Sequence, residues 1–323
     1  MSVKSHFAFA SIAAAALVGQ CTWGAGGTTG LQEVTVTAKR LELKQRVSKF
    51  VNQIAVQENG GEAGLARWQA PPACPLVSGL PQQEGEFILE RVSEIARVAG
   101  VPIAGEQCRP NLYILVTPQP EDLLRGMEER NRKFTFGWDP STRTDTPASV
   151  VDEFIRTPRA VRTWYNTDGN DAWGKRLQYC SKSSITCDGY YGAVSACTPP
   201  PPPDPSSVYL CGTATAGGTH LEFDTVWTFS RVFVIVDERR LPGVSRGQLA
   251  DYVAMVGFSK LKSGVRLGDA NTILTLFDGA SEAAPAGVTD WDRAFLKSLY
   301  ATDQRSKLQR GQIAGSMVKQ IAP

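Results

Sequence analysis

Apolar residues recur at helical spacing over Glu86–Gly100, where Phe87, Ile88, Val92, Ile95 and Ala99 fall on one face. Glu86, Glu90 and Glu94 form the opposite, solvated stripe, and Gly100 with Pro102 ends the helix. Leu112–Val116 is a continuous apolar run of strand length, buried on both sides. Pro120 opens the next helix, with Glu121 and Asp122 placed against its N-terminal dipole. Thr146-Pro147 starts a short helix that must stop before Pro158, and Ala160–Tyr165 reads as extended. Val226–Val236 carries the strongest strand pattern, interrupted near Ser230 and so read as two strands. Ser245-Arg246-Gly247-Gln248 fits a capping box ahead of Leu249, Tyr252, Val253 and Val256. Thr289-Asp290-Trp291-Asp292 repeats the device before Phe295 and Leu299, and a last helix covers Ser306–Ile321. This order predicts an α+β fold: one domain with a mixed sheet, C-terminal helices and a disulfide-tied insertion over 166–220.

The N-terminal pattern differs. Lys4 followed by the apolar run Phe7–Val18 reads as a secretory leader over 1–24, too short to span a bilayer. Residues 25–66 have few large apolar side chains before a short helix around Leu41–Val56, and are expected to be a flexible segment. The folded domain is expected over 67–323, starting near Arg67-Trp68. No later run approaches the length of a membrane span, so the expectation is a periplasmic or secreted chain that does not cross a membrane.

Composition narrows the chemistry. Against 34 Lys+Arg stand 32 Asp+Glu, and a net charge of +2 with no long basic run argues against nucleic acid as a partner. Of the 2 histidines, His6 lies in the leader, so the rest of the chain has only His220 and excludes sites built on several imidazoles. No metal, cofactor or catalytic residue is predicted. Beyond the leader stand Cys74, Cys108, Cys180, Cys187, Cys197 and Cys211, and an even number in an exported chain predicts disulfides. The clustered four are expected to pair among themselves, leaving Cys74 with Cys108. A nested pattern, Cys180–Cys211 outside Cys187–Cys197, would make Leu177–Cys180 and Val208–Cys211 adjacent strands, with Pro199–Pro203 in the loop they close.

Several short motifs suggest chemistry. Glu33-Val34-Thr35-Val36-Thr37-Ala38-Lys39-Arg40 resembles the TonB box of Gram-negative outer-membrane receptors. The resemblance implies an exposed strand, Glu33, Val34, Thr35, Val36, Thr37 and Ala38, that adds to the sheet edge of a TonB-type envelope protein. Leu249–Phe258, Ala270–Leu274 and Thr289–Tyr300 are similar in order to the C-terminal half of secreted zincin-like proteins. By position, Ala250 and Ala254 fall on the metal ligands and Asp251 on the catalytic acid; alanine offers zinc no lone pair, so that chemistry does not transfer. Ser259-Lys260-Leu261-Lys262 matches SxxK, but Lys262 would also have to serve the companion Lys262-Ser263-Gly264, and the motif follows a helix instead of opening one. His220 with Glu222 and Asp224 is the one imidazole base within reach, and Asn166–Asp171 resembles a calcium loop without its closing glutamate. Arg67-Trp68, Cys74-Pro75, Val92–Pro102 and Cys108–Val116 together resemble an uncharacterised family of secreted proteobacterial proteins, which implies export and no activity. The expectation is an exported, non-catalytic protein that binds a partner or ligand and is TonB-linked; the alternative is a hydrolase on a degenerate zincin-like scaffold.

Overall fold

The computed structural model describes residues 28–58, 64–139, 144–171, 178–181, 208–211, 221–223, 225–268, 270–278 and 284–322. The chain divides into two units, Met1–Leu41 and Glu42–Pro323. In the first, the described residues belong to helix α1 (Thr28–Ile54). Glu33–Ala38, expected as an exposed strand, is therefore helical. Strand preference at Val and Thr amounts to tenths of a kcal/mol, whereas extending an existing helix adds one hydrogen bond per residue ordered.

The second unit begins well before Arg67. Val47, Phe50, Val51 and Ile54 of α1 are buried in its core, so part of the segment expected to be flexible is structural. Strand β1 (Pro75–Ser78) leads into helix α2 (Gln82–Ala99), closed by Gly100 in the left-handed conformation. Ile88, Val92, Ile95, Ala96 and Ala99 form its buried stripe, but Phe87 is 45% exposed because it shares its side of the helix with Arg91 and Glu94. Strand β2 (Leu112–Thr117) is followed by α3 (Pro120–Phe136), the short pair β3 (Trp138–Asp139) and β4 (Thr144–Asp145), and α4 (Ala148–Arg156). Then come β5 (Val161–Asn170), the antiparallel pair β6 (Gln178–Ser181) and β7 (Val208–Cys211), and β8 (Val226–Asp237). Helices α5 (Arg246–Phe258), α6 (Asp290–Ala301) and α7 (Gln309–Ile321) finish the unit, and both capping boxes form as expected. No described helix is long and apolar enough to cross a membrane.

The main sheet has the order β1-β2-β8-β5: the first three strands are parallel and β5 is antiparallel to β8, which makes the sheet mixed. The Cys74–Cys108 disulfide is present, with Cα atoms 6.1 Å apart, just ahead of β1 and β2. Asn111 completes this clamp: its side chain accepts from the Cys74 amide at 2.7 Å and donates to the Pro72 carbonyl at 3.0 Å. After β1 the chain turns at Gly79 (φ 90°), where any Cβ would overlap the Val116 carbonyl.

Ser230 does not end a strand. The register of β8 against β5 shifts between Asn166 and Thr167, leaving Ser230 as the extra residue of a β-bulge, with its hydroxyl bonded to the Asn166 carbonyl at 3.2 Å. The bulge reverses the side-chain alternation, so Trp227 and Phe229 join Val232, Val234 and Val236 in one core. That core includes Leu112, Ile114 and Val116 of β2 and is covered by α1, α2, α5, α6 and α7. The opposite face carries Tyr113, Phe233, Ile235 and Trp164 and, among the described residues, is covered by α3 and α4.

Candidate functional site

A groove of about 490 Å³ runs along the outer edge of β5. Its walls come from two chain reversals. On one side Pro158 stops the chain from continuing α4, so Val150, Glu153, Phe154 and Thr157 stand beside the start of β5. On the other side Ser259, extended at φ −141°, ends α5 and donates its hydroxyl to the Met255 carbonyl at 2.6 Å. The following segment is pinned to the end of α1 by Val56 N–H to the Lys260 carbonyl (3.3 Å) and Lys262 N–H to the Ile54 carbonyl (2.9 Å). Gly264 (φ 72°) then turns this wall back beneath the Arg159 guanidinium, which would lie only 3.2 Å from a Cβ at that position.

The floor of the groove is the edge of a sheet. Asp237 N–H donates to the Ala160 carbonyl at 2.9 Å, which fixes the antiparallel alternation: Arg162 and Trp164 exchange bonds with β8, while Val161, Thr163 and Tyr165 turn their N–H and C=O outward. Among the described residues no hydrogen bond uses these outward groups.

The side chains above and below this edge are mostly committed. Tyr165 donates its hydroxyl to the Val256 carbonyl (2.9 Å) and accepts from the Leu261 amide (3.4 Å), and burial pushes its pKa far above the ordinary tyrosine value. Burial and the nearby Asp278 carboxylate, against Arg159, push Tyr252 up to about 12; both phenols are neutral hydrogen-bonding groups at physiological pH. Lys260 pairs with the buried Glu58 at 2.7 Å. Arg162 is 1% exposed; it donates through Nε to the Thr157 carbonyl at 3.0 Å and through Nη2 to Glu121, while its Nη1, equally sealed from solvent, has no partner among the described residues. Glu121 is shared with Arg239, which also holds Asp237 through two bonds of 2.9 and 3.0 Å. Arg159 and Lys262 make no ion pair among the described residues, nor do Glu153 and Asp278, the acids that line the groove.

The motifs singled out in the sequence lie largely elsewhere. Asp251 is 1% exposed, gripped by Arg91 at 2.7 and 3.1 Å, and accepts from the Val288 amide at 2.7 Å. With Ala250 and Ala254 fully buried beside it, this carboxylate fastens α2 to α5 and the α6 approach. Asn166–Asp171 is not a loop: Asn166–Asn170 belong to β5, where Asn166 donates to the Thr135 carbonyl (2.9 Å) and Asn170 to the Thr228 hydroxyl (2.8 Å). Turn-forming residues are carried here by an existing strand partner. Glu222 pairs with Arg305 at 3.1 Å; His220 and Asp224 lie outside the described residues. Among the described residues no three His, Cys, Asp or Glu side chains draw together. β6 and β7 pair as expected, with Cys180 opposite Tyr209 and Cys211 opposite Gln178, a diagonal relation of the two cysteines. Cys187 and Cys197 lie outside the described residues.

Lys262, Ser263 and Gly264 do line the groove, although the SxxK pattern pointed to them for another reason. Sequence reasoning missed the rest of the groove. Its signal was weak: Ala160–Tyr165 reads as a strand, but nothing local says that one side of it is left unpaired. No protein-family model, curated protein or solved structure matches this chain.

Proposed function

We propose that this is an exported periplasmic binding protein without catalytic activity, and that its ligand occupies the groove beside β5. The observation that carries this reading is the row of outward backbone groups at Val161, Thr163 and Tyr165 opening into a cavity large enough for a peptide or small molecule. The Cys74–Cys108 bond supports an oxidising compartment. The hydrolase alternative has less support, because Asp251, its one positional acid, is already bound to Arg91 and Val288. Coupling to TonB through Glu33–Ala38 would first require that part of α1 to unwind into a strand.

A photo-crosslinking side chain placed at Thr163 or Lys262 should give a ligand adduct in envelope extract, while the same group at Val98 on α2, 61% exposed, should not. Equal labelling at Val98, or none at the groove positions, would defeat the assignment of the site.

A further inference from the structure

We propose that the ligand is an extended peptide from another protein, which adds to β5 as a fifth strand of the main sheet and presents a carboxylate to Arg159 and Lys262. This rests on the groove being the binding site and names what occupies it. Three alternate residues of β5 offer six unbonded main-chain groups in a row, the pattern that β-augmentation satisfies and a compact ligand does not. Native proteins protect such edges with bulges, prolines or inward charges. Here the bulge lies beyond, opposite Asn166 and Thr167, and Val161–Tyr165 is left regular. A matching strand of five residues is about 16 Å long.

The carboxylate follows from the cations. Arg159 stands immediately before β5 with its guanidinium against Gly264, and Lys262, two residues earlier, lines the same groove with its ammonium 3.4 Å from the Asn52 carbonyl; neither is in an ion pair among the described residues. Glu153 and Asp278 also line the groove, so its charge is mixed and it suits a peptide with one carboxylate better than a run of acids. A side-chain carboxylate and a chain-terminal one would serve this pocket alike.

The test uses the full chain without its leader and the synthetic probe acetyl-Thr-Val-Thr-Val-Asp-amide, followed by NMR at up to millimolar peptide. The main-chain amides of Val161, Thr163 and Tyr165 should shift, and no comparable shifts should appear elsewhere. N-methylation of the peptide at alternate residues should weaken binding at least tenfold, while methylation at the residues between should be tolerated. Asp→Asn in the probe, or Lys262→Glu in the protein, should also weaken binding about tenfold. Comparing the probe with acetyl-Thr-Val-Thr-Val carrying a free C-terminus separates the two carboxylate sources. Thr163→Pro removes one outward N–H and should abolish the effect; if that variant misfolds, the N-methyl series answers the same question on the unaltered protein. Indifference to the position of N-methylation would overturn strand addition while leaving a groove-binding ligand intact. Exchange protection of the Val161, Thr163 and Tyr165 amides without peptide would also overturn it, by showing the edge already covered by this chain or a second copy. Absence of any shift at millimolar probe would do the same.

Discussion

The two faces of the main sheet are built to different standards. One carries a single apolar core under α1, α2, α5, α6 and α7, in which Trp68, Phe229, Phe258, Phe295 and Ile313 are all buried. The other is a small aromatic cluster of Phe136, Phe154, Trp164 and Phe233 under α3 and α4, bordered by the charged set Arg162, Glu121, Arg239 and Asp237. The groove lies where the thin layer ends, beside β5, the edge strand of the sheet that supplies Val161 and Tyr165 to one face and Trp164 to the other. An open edge needs rigid support on one side and room on the other, and this asymmetry supplies both.

The comparison can be broken first at its strong side. Trp68 is fully buried, stacks edge-on against Phe229 at 5.3 Å and donates its indole N–H to the Gly257 carbonyl at 2.8 Å. Trp68→Ala should cost about 4 kcal/mol, by the usual range for emptying a large aromatic site, with urea unfolding shifted as one transition. A loss below about 1 kcal/mol would mean that the thick face is not one cooperative unit. On the thin side Phe136→Ala should cost about 3 kcal/mol, because a site under only two helices can partly collapse. Hydrogen exchange should then show α3, α4 and β5 opening while α5 and α6 keep their protection. Uniform loss across both layers would erase the distinction.

The smallest effect is a difference in acid response. On the thin side the Arg239 hydrogen bond, against burial, holds the Asp237 carboxyl below the ordinary range. Its stabilisation is present above the unfolded value of about 3.9 and is lost as pH falls through the lower folded value. On the thick side burial pushes Asp292 upward, although Thr272, Thr289 and Ile273 all donate to it. Protonation therefore relieves a native-state penalty there, and stability gains as pH falls from above its folded value toward the unfolded one. Below about pH 4 the α3–α4 side should lose exchange protection before the α5–α6 side. The reverse order would contradict the assignment of the two carboxylates.

Much of this architecture was legible in the chain. Ser245 with Gln248 and Thr289 with Asp292 mark helix starts because capping is local chemistry, and Cys74 and Cys108 bond as their isolation from the other four suggested. Ser230 was visible as an interruption, but its meaning was not: whether a polar residue ends a strand or bulges it depends on the partner strand. The same holds for Asn166 and Asn170, turn formers by composition that β8 and the Thr135 carbonyl hold in a sheet. Phe87 was misplaced because an apolar residue at the border of a helical stripe can face either way. The groove was the least legible of all. An unpaired strand edge is defined by which elements fail to arrive, and no pattern within Val161–Tyr165 records that.

Leu65 is held by residues far along the chain: its amide donates to the Gln309 side chain at 2.7 Å, and its carbonyl accepts from Gln304 at 3.2 Å. Gln304 also donates to the Trp227 carbonyl. These contacts span 244 and 239 residues, so they form only after Gln304 and Gln309 have been made. A growing polypeptide would carry Trp68 and the start of the sheet unsealed until α6 and α7 emerged, which makes closure of this layer a late and slow step of folding. Were the chain exported as proposed, that delay would keep it in the unfolded form that a narrow translocation channel accepts.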